Sequence, residues 1–249
     1  MMSILKSLFR HIFFISKKKM QFLISKKDDI LFRKLYNDGF IHIKNFISFD
    51  LLKKINLEYK VLKKKFDGNH FWTEKISKDL EDELFELLYK KDLLRLIKSY
   101  LGKKVLFYEN LYIYTGSPES EENTWVPHHD TKGNRLKLYF WINSDKNSHP
   151  LFYKKGSHQI FKKWSNADET FYRNLDNSEL QSVIGDPGDL TIFDTHGIHS
   201  GKKKITTPRL IVNLTFDPVS KIGLGLNPES TNGAKEVERL SGRILDIKK

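Results

Sequence analysis

The stretch Leu136-Lys137-Leu138-Tyr139-Phe140-Trp141-Ile142 decides the fold class. Leu136, Leu138 and Phe140 alternate with Lys137, Tyr139 and Trp141. Successive side chains of a strand point to opposite faces, so this alternation predicts one core-facing side and one mixed side. Working outward, residues 105–108, 111–114, 151–153, 182–184, 190–193 and 210–216 are rich in β-formers and predict further short strands. Upstream the period changes. Residues 29–36 read as a helix, followed by the turn Asn37-Asp38-Gly39 and a short strand over 40–43. Ser48 is placed to cap a helix over 50–65, with Leu51, Leu52, Ile55, Tyr59 and Leu62 on one face. Two more helices are expected over 79–89 and 92–100, the second stopping at Gly102. Helices therefore come first and strands second. A nucleotide-binding sheet of the alternating kind is disfavoured, and no glycine-rich phosphate loop is present. The expectation is a mostly β chain with flanking helices, its strands forming an antiparallel sandwich or barrel.

Composition narrows the function. The 249 residues suffice for one domain with a real core, and no linker divides them. Residues 1–25 are expected to be a basic amphipathic segment, and 26–249 a single domain. There is no cysteine, which excludes disulfides, thiolate metal sites and cysteine nucleophiles. Any metal must be held by His, Asp or Glu. The absence fits a reducing compartment, and the cytoplasm is expected. The formal charge, 43 − 31 = +12, favours anionic partners but is spread over short lysine runs such as Lys63–Lys65 and Lys202–Lys204. Zinc-finger and RNA-recognition motifs are absent, so no nucleic acid is expected. Near the start, Ile4, Leu5, Leu8, Phe9, Ile12, Phe13 and Ile15 recur at helical spacing. The longest apolar run there is four residues, far short of the roughly 20 that span a bilayer. A helix packed on the domain is expected, with weak membrane-surface contact through residues 1–20 as the alternative.

The chemistry concentrates in Trp125-Val126-Pro127-His128-His129-Asp130-Thr131. On an extended chain His128 and Asp130 point the same way and can share one ion. Two histidines and one carboxylate on one face of iron(II) leave positions open for other ligands. His196 and His199, in the stretch 188–201, are the candidates for the third ligand. Arg209, ten residues past His199, offers a fork suited to a carboxylate.

In these motifs the chain resembles the phytanoyl-CoA dioxygenase-like family of iron(II)/2-oxoglutarate-dependent oxygenases. The likeness runs through DGFIHIKNFIS, WVPHHDT, RLKLYFWINSD, LFYKKGSH and GDPGDLTIFDTHGIHSGKKKITTPRLIVNLTF. It implies a double-stranded β-helix core, a jelly roll of cupin-like form. It implies His128, Asp130 and His199 as metal ligands and Arg209 as the anchor for 2-oxoglutarate, with Tyr139 and Lys137 as further co-substrate contacts. His129 is then expected to face away from the metal, and His196 and His158 to be structural. The implied cofactors are Fe(II), 2-oxoglutarate as co-substrate, and O2, with release of succinate and CO2 as a substrate C–H is hydroxylated. Related halogenases replace the carboxylate with a small residue; Asp130 is present, so hydroxylation is favoured. Two departures, Lys202–Lys204 after the distal histidine and Ser148-His149-Pro150 in a rim loop, bear on the substrate rather than the metal. The expected substrate is a small anionic molecule: phosphorylated, nucleotide-linked or a saccharide precursor. Trp164, Phe171, Tyr172 and Arg173 are candidates for its contacts. The competing readings are a cupin-type metal enzyme without 2-oxoglutarate, and a non-catalytic basic adaptor on an oxygenase-like scaffold.

Overall fold

The alternating stretch forms strand β5 (Leu136–Asn143) in the computed structural model, with Leu136, Leu138, Phe140 and Ile142 buried against helices on one face. The structure describes residues 2–24, 29–66, 70–71, 76–90, 93–102, 105–115, 126–130, 135–145, 147–148, 150–160, 169–172, 174–201 and 209–218. Trp164, Arg173 and Lys202–Lys204 lie outside them.

Helices lead, as the sequence order predicts. They are α1 (Met2–Ile24), α2 (Ile30–Asp38), α3 (Phe49–Lys65), α4 (Lys78–Lys90) and α5 (Leu93–Leu101). Helix caps are local chemistry: the predicted cap at Ser48 forms, and Asp29 caps α2, which the sequence reading did not assign. Asp29 accepts from the Phe32 amide at 3.0 Å, and Ser48 from the Leu51 amide at 3.3 Å. Gly39 ends α2 at φ 84°, a conformation open to glycine at little cost.

A six-stranded antiparallel sheet follows. β5 sits between β9 (Leu190–Asp194) and β11 (Leu210–Pro218), with β1 (Phe40–Ile43) beyond β9. β3 (Val105–Thr115) and β2 (His70–Phe71) continue past β11. The two strands expected over 105–114 are one long strand, whose register against β11 shifts between Asn213 and Thr215. The five-stranded second sheet has the order β7 (Glu169–Phe171), β4 (His128–Asp130), β10 (His199–Ser200), β6 (Leu151–Tyr153) and β8 (Gln181–Val183).

The double-stranded β-helix, or cupin-like jelly roll, implied by the resemblance is not what forms. The described strands make two open antiparallel sheets, and no strand ladder joins one to the other. The second sheet is built from strands of two or three residues, too short to curl around and pair with the edges of the first.

Two layers of side chains hold this arrangement. The main core lies between helices α2–α5 and the outer face of the large sheet, centred on Phe32, Ile41, Ile55, Leu84, Ile97 and Leu138. A smaller cluster of Phe40, Leu151, Tyr153, Val183 and Phe193 packs the sheets face to face. The inner face of β5 and β11 is different: Lys137, Tyr139 and Trp141 face the same layer as Arg209, Ile211, Asn213 and Thr215. Polar groups on a buried sheet face need partners or a ligand, and this is where the site lies.

Helix α1 packs on the domain. Its Lys18 is buried and gives an ion pair to Asp194 at 2.5 Å, and its Phe22 ring stacks on Tyr36 at 4.3 Å. No described helix is long and apolar enough to cross a membrane.

Candidate metal centre

Three groups converge between the sheets. His128 and Asp130 lie on β4, two residues apart on the same side of an extended strand. His199 opens β10 directly opposite His128 in the antiparallel ladder. One ligand atom from each of the three lies within 4.8 Å of the others, and all three residues are buried. No other group of three such residues converges in this way among the described residues.

The imidazoles are oriented by the backbone. His128 Nδ1 donates to the Val126 carbonyl at 2.8 Å, and His199 Nδ1 donates to the Gly197 carbonyl at 2.8 Å. A carbonyl only accepts, so each Nδ1 carries its hydrogen and each Nε2 is the nitrogen whose lone pair can serve a metal. Burial, reinforced by His128, pushes the His199 imidazole down to about 3, so it is neutral at physiological pH. Burial alone raises the Asp130 carboxyl, but Lys137, His199, Arg135 and His128 more than offset it and hold it well below the usual carboxylate range. Two imidazole nitrogens and an ionised carboxylate are the donor set a divalent iron takes.

The turn between β9 and β10 fixes these ligands. The Thr195 carbonyl accepts from the Asp130 amide at 2.9 Å, and the Thr195 amide donates to the Arg135 carbonyl at 3.0 Å. Asp194, fully buried, anchors the turn: its carboxylate accepts from Lys18, from the Tyr100 hydroxyl at 2.8 Å and from the His196 amide at 2.9 Å. Tyr153 donates to the Asp194 carbonyl at 2.8 Å. A Cβ at Gly197 would collide with the Tyr153 ring, so only glycine fits there.

The other predicted residues divide clearly. His129 faces away from the ligand set, sharing a hydrogen bond of 2.9 Å with the Tyr172 hydroxyl. Tyr172, proposed from sequence as a substrate contact, is therefore tied to the back of the metal strand, and burial raises its phenol to about 12. His196 meets His129 edge-on at 5.6 Å and stays out of the triad. His158 is fully buried in a short 3-10 turn and hydrogen-bonds the Tyr36 carbonyl at 2.8 Å. The side chain of Phe171 lies outside what the structure describes.

Lys137 reaches the metal set itself: its Nζ is 3.3 Å from Asp130 Oδ2. Arg209, buried, lies over the rings of Tyr139 and Trp141 at 5.4 and 5.6 Å. Lys137 is paired across the sheet with Phe193, whose ring touches the His199 ring at 5.3 Å. The Arg209 guanidinium thus lies two to four residues along β5 from Lys137 and the metal level, about 7–13 Å at strand rise. Sequence reasoning missed Arg135, which is 3.9 Å from Asp130 Oδ2 and forks onto Asp217 at 3.0 and 3.3 Å. No local pattern marks an ion pair 82 residues apart.

Fold and site together define a mononuclear non-haem iron enzyme with a His-Asp-His facial triad. The chain belongs to the phytanoyl-CoA dioxygenase family, whose model matches residues 35–209, and it is an iron(II)- and 2-oxoglutarate-dependent oxygenase. No curated protein matches it in sequence. Solved structures share the fold at low identity. The epimerase SnoN, in complex with Fe3+, alpha ketoglutarate and nogalamycin RO, is 14% identical with a TM-score of 0.60, over 76% of this chain and 82% of that one. HygX from Streptomyces hygroscopicus, with nickel and 2-oxoglutarate bound, is 14% identical at 0.58, over 78% and 88%. EctD from S. alaskensis, with 2-oxoglutarate and 5-hydroxyectoine, is 15% identical at 0.57, over 79% and 80%.

Proposed function

We propose that this oxygenase hydroxylates a small anionic substrate, with Arg209 anchoring the far carboxylate of 2-oxoglutarate. The observation that carries the reading is the pairing of the triad, on the small sheet, with a buried arginine on the inner face of the large sheet opposite. His128, Asp130 and His199 would hold the iron. When bound, iron with 2-oxoglutarate and O2 supplies the oxidising chemistry and yields succinate and CO2.

The chain's own residues do the positioning. Tyr139 and Trp141 hold the Arg209 fork between their faces, so its direction is set before the co-substrate arrives. Lys137 offers an ammonium close to the metal level for a carboxylate oxygen, and Tyr139 closes the side of the pocket against Phe193. Asp130 fills the position left open in halogenases, which supports hydroxylation. Arg135 and Lys137 at the site, and a formal charge of +12, support an anionic substrate such as a phosphorylated molecule, a nucleotide-linked one or a saccharide precursor. Lack of cysteine supports a cytoplasmic setting.

Anaerobic titration with iron(II) and 2-oxoglutarate tests the site. The visible metal-to-ligand charge-transfer band should form with the wild type, vanish in His128→Ala, and need far more 2-oxoglutarate in Arg209→Ala. An Arg209→Ala variant that binds co-substrate normally would remove that residue from its role. Succinate release over a substrate panel tests the second half: a neutral or cationic best substrate refutes the anionic assignment.

A further inference from the structure

Helix α1 is packed the wrong way round for a helix that serves only its own core. At about 100° per residue, Leu8, Phe9, Ile12, Phe13, Met20 and Leu23 fall within an arc of about 140°. All six are exposed, Phe9 at 63%, Met20 at 64% and Leu23 at 72%. The opposite arc, facing the domain, carries His11, Lys18 and Phe22. An amphipathic helix normally buries its apolar stripe. Here the stripe is turned outward, while an ion pair and a ring stack hold the helix from the other side. Ser16 and Lys19 share this arc, and the six apolar side chains around them make an exposed apolar face of the kind that marks an interaction surface.

The charge pattern selects the partner. Besides Lys18, which is buried on Asp194, residues 1–27 contain Lys6, Arg10, Lys17, Lys19, Lys26 and Lys27 and no acidic residue. A second copy of this helix would bring like charges together, so self-association is disfavoured. An anionic lipid surface answers both features at once, taking the apolar stripe at the acyl boundary and attracting the cations at the headgroups. The helix is not apolar enough to cross a bilayer, so it lies in the interface plane.

We propose that α1 docks this enzyme on an anionic membrane surface through Phe9, Ile12, Met20 and Leu23. The inference is independent of how 2-oxoglutarate or substrate binds. Because Lys18 keeps α1 on Asp194, docking holds the β9–β10 turn about one helix diameter, ~10 Å, from the lipid boundary.

Vesicle flotation with the full chain tests it, using pure phosphatidylcholine and phosphatidylcholine with a quarter phosphatidylglycerol. The wild type should float with the anionic vesicles, bind the neutral ones weakly, and lose binding as salt rises. Phe9→Ser/Ile12→Ser/Leu23→Ser changes only exposed positions, so it should keep the wild-type circular dichroism and melting temperature. Its partition to anionic vesicles should fall about tenfold or more. A wild type that stays in solution with anionic vesicles at low salt overturns the proposal. So does a triple variant that floats like the wild type, which would assign binding to the general basic surface. A wild-type dimer in sedimentation velocity that the triple variant abolishes, without lipid binding, would reassign the face to self-association.

Discussion

Replacing Lys18 with alanine should release α1 and loosen the turn that carries His199. Lys18 and Asp194 are both buried and 2.5 Å apart, and the Lys18 ammonium also lies 4.7 Å from the centre of the Tyr100 ring. Removing one partner of such a pair leaves the other charge in low dielectric, which costs about 3–5 kcal/mol. Here the Tyr100 hydroxyl and the His196 amide still solvate the carboxylate, which argues for the lower end, about 3 kcal/mol. The cost is felt first where least structure must open, by undocking of α1. Three kilocalories correspond to roughly a hundredfold loss of protection, so hydrogen exchange of the α1 amides is the assay. Iron(II) affinity is the second readout, because Asp194 braces the turn between β9 and β10. Asp194→Asn added to Lys18→Met should recover much of the loss, since the uncompensated charge is then gone. Unchanged exchange in α1 together with unchanged iron affinity in Lys18→Ala would refute the reasoning: the pair would then be neither a latch nor a brace.

Further outcomes follow from the same geometry. The folded His199 titrates near 3 against about 6.5 unfolded, so the unfolded chain binds more protons between these values; stability of the metal-free protein should be full above pH 6.5 and fall on acidification, by on the order of 2 kcal/mol at pH 5. Urea midpoints at pH 7 and 5 measure this, and His199→Gln should flatten the difference. The depressed carboxyls of Asp130 and Asp194 add a separate loss only as pH falls below the ordinary carboxylate range. Gly197→Ala should drive the new methyl into Tyr153 and displace the carbonyl that orients His199, lowering iron affinity at least about tenfold; Tyr153→Phe in the same chain should restore part of it by removing the hydroxyl. Lys137→Met removes a cation 3.3 Å from a ligand oxygen, so calorimetry should find iron bound at least as tightly as in the wild type while 2-oxoglutarate binds more weakly.

Local chemistry was legible in the sequence, and long-range pairing was not. Ser48 caps the helix it was assigned to because a capping side chain reaches only three residues ahead; Asp29, read only as the start of a helix, caps α2 by the same reach. The alternation in β5 assigned both faces correctly because one face is packed and the other lines the site. His128 and Asp130 were readable together for the same local reason. Spacing alone left His196 and His199 as equals. The structure separates them physically: His199 enters a strand opposite His128, while His196 stays in the turn with its amide on Asp194. Openness of the two sheets left no trace in the sequence, since strands of two or three residues hold too little alternation to read. Lys18 and Asp194, separated by 176 positions, were likewise invisible as a pair.

Charge bookkeeping at the site explains why metal and co-substrate belong together. Among the described residues, Asp130 and Asp217 contribute −2, and Lys137, Arg135 and Arg209 contribute +3, with His128 and His199 counted neutral; the sum is +1. Iron(II) raises it to +3, in a buried space where like charges are poorly screened. A dicarboxylate brings it back to +1, so each ligand relieves a cost that the other imposes or leaves standing. Binding should therefore be cooperative, and linkage requires that the factor by which 2-oxoglutarate tightens iron equal the factor by which iron tightens 2-oxoglutarate. Arg209→Ala lowers the starting charge to 0 and removes the anchor at once. In that variant iron alone should bind no worse than in the wild type, while the coupling factor shrinks. Equal coupling in both proteins would mean that Arg209 takes no part in holding the co-substrate, and that the triad alone accounts for it.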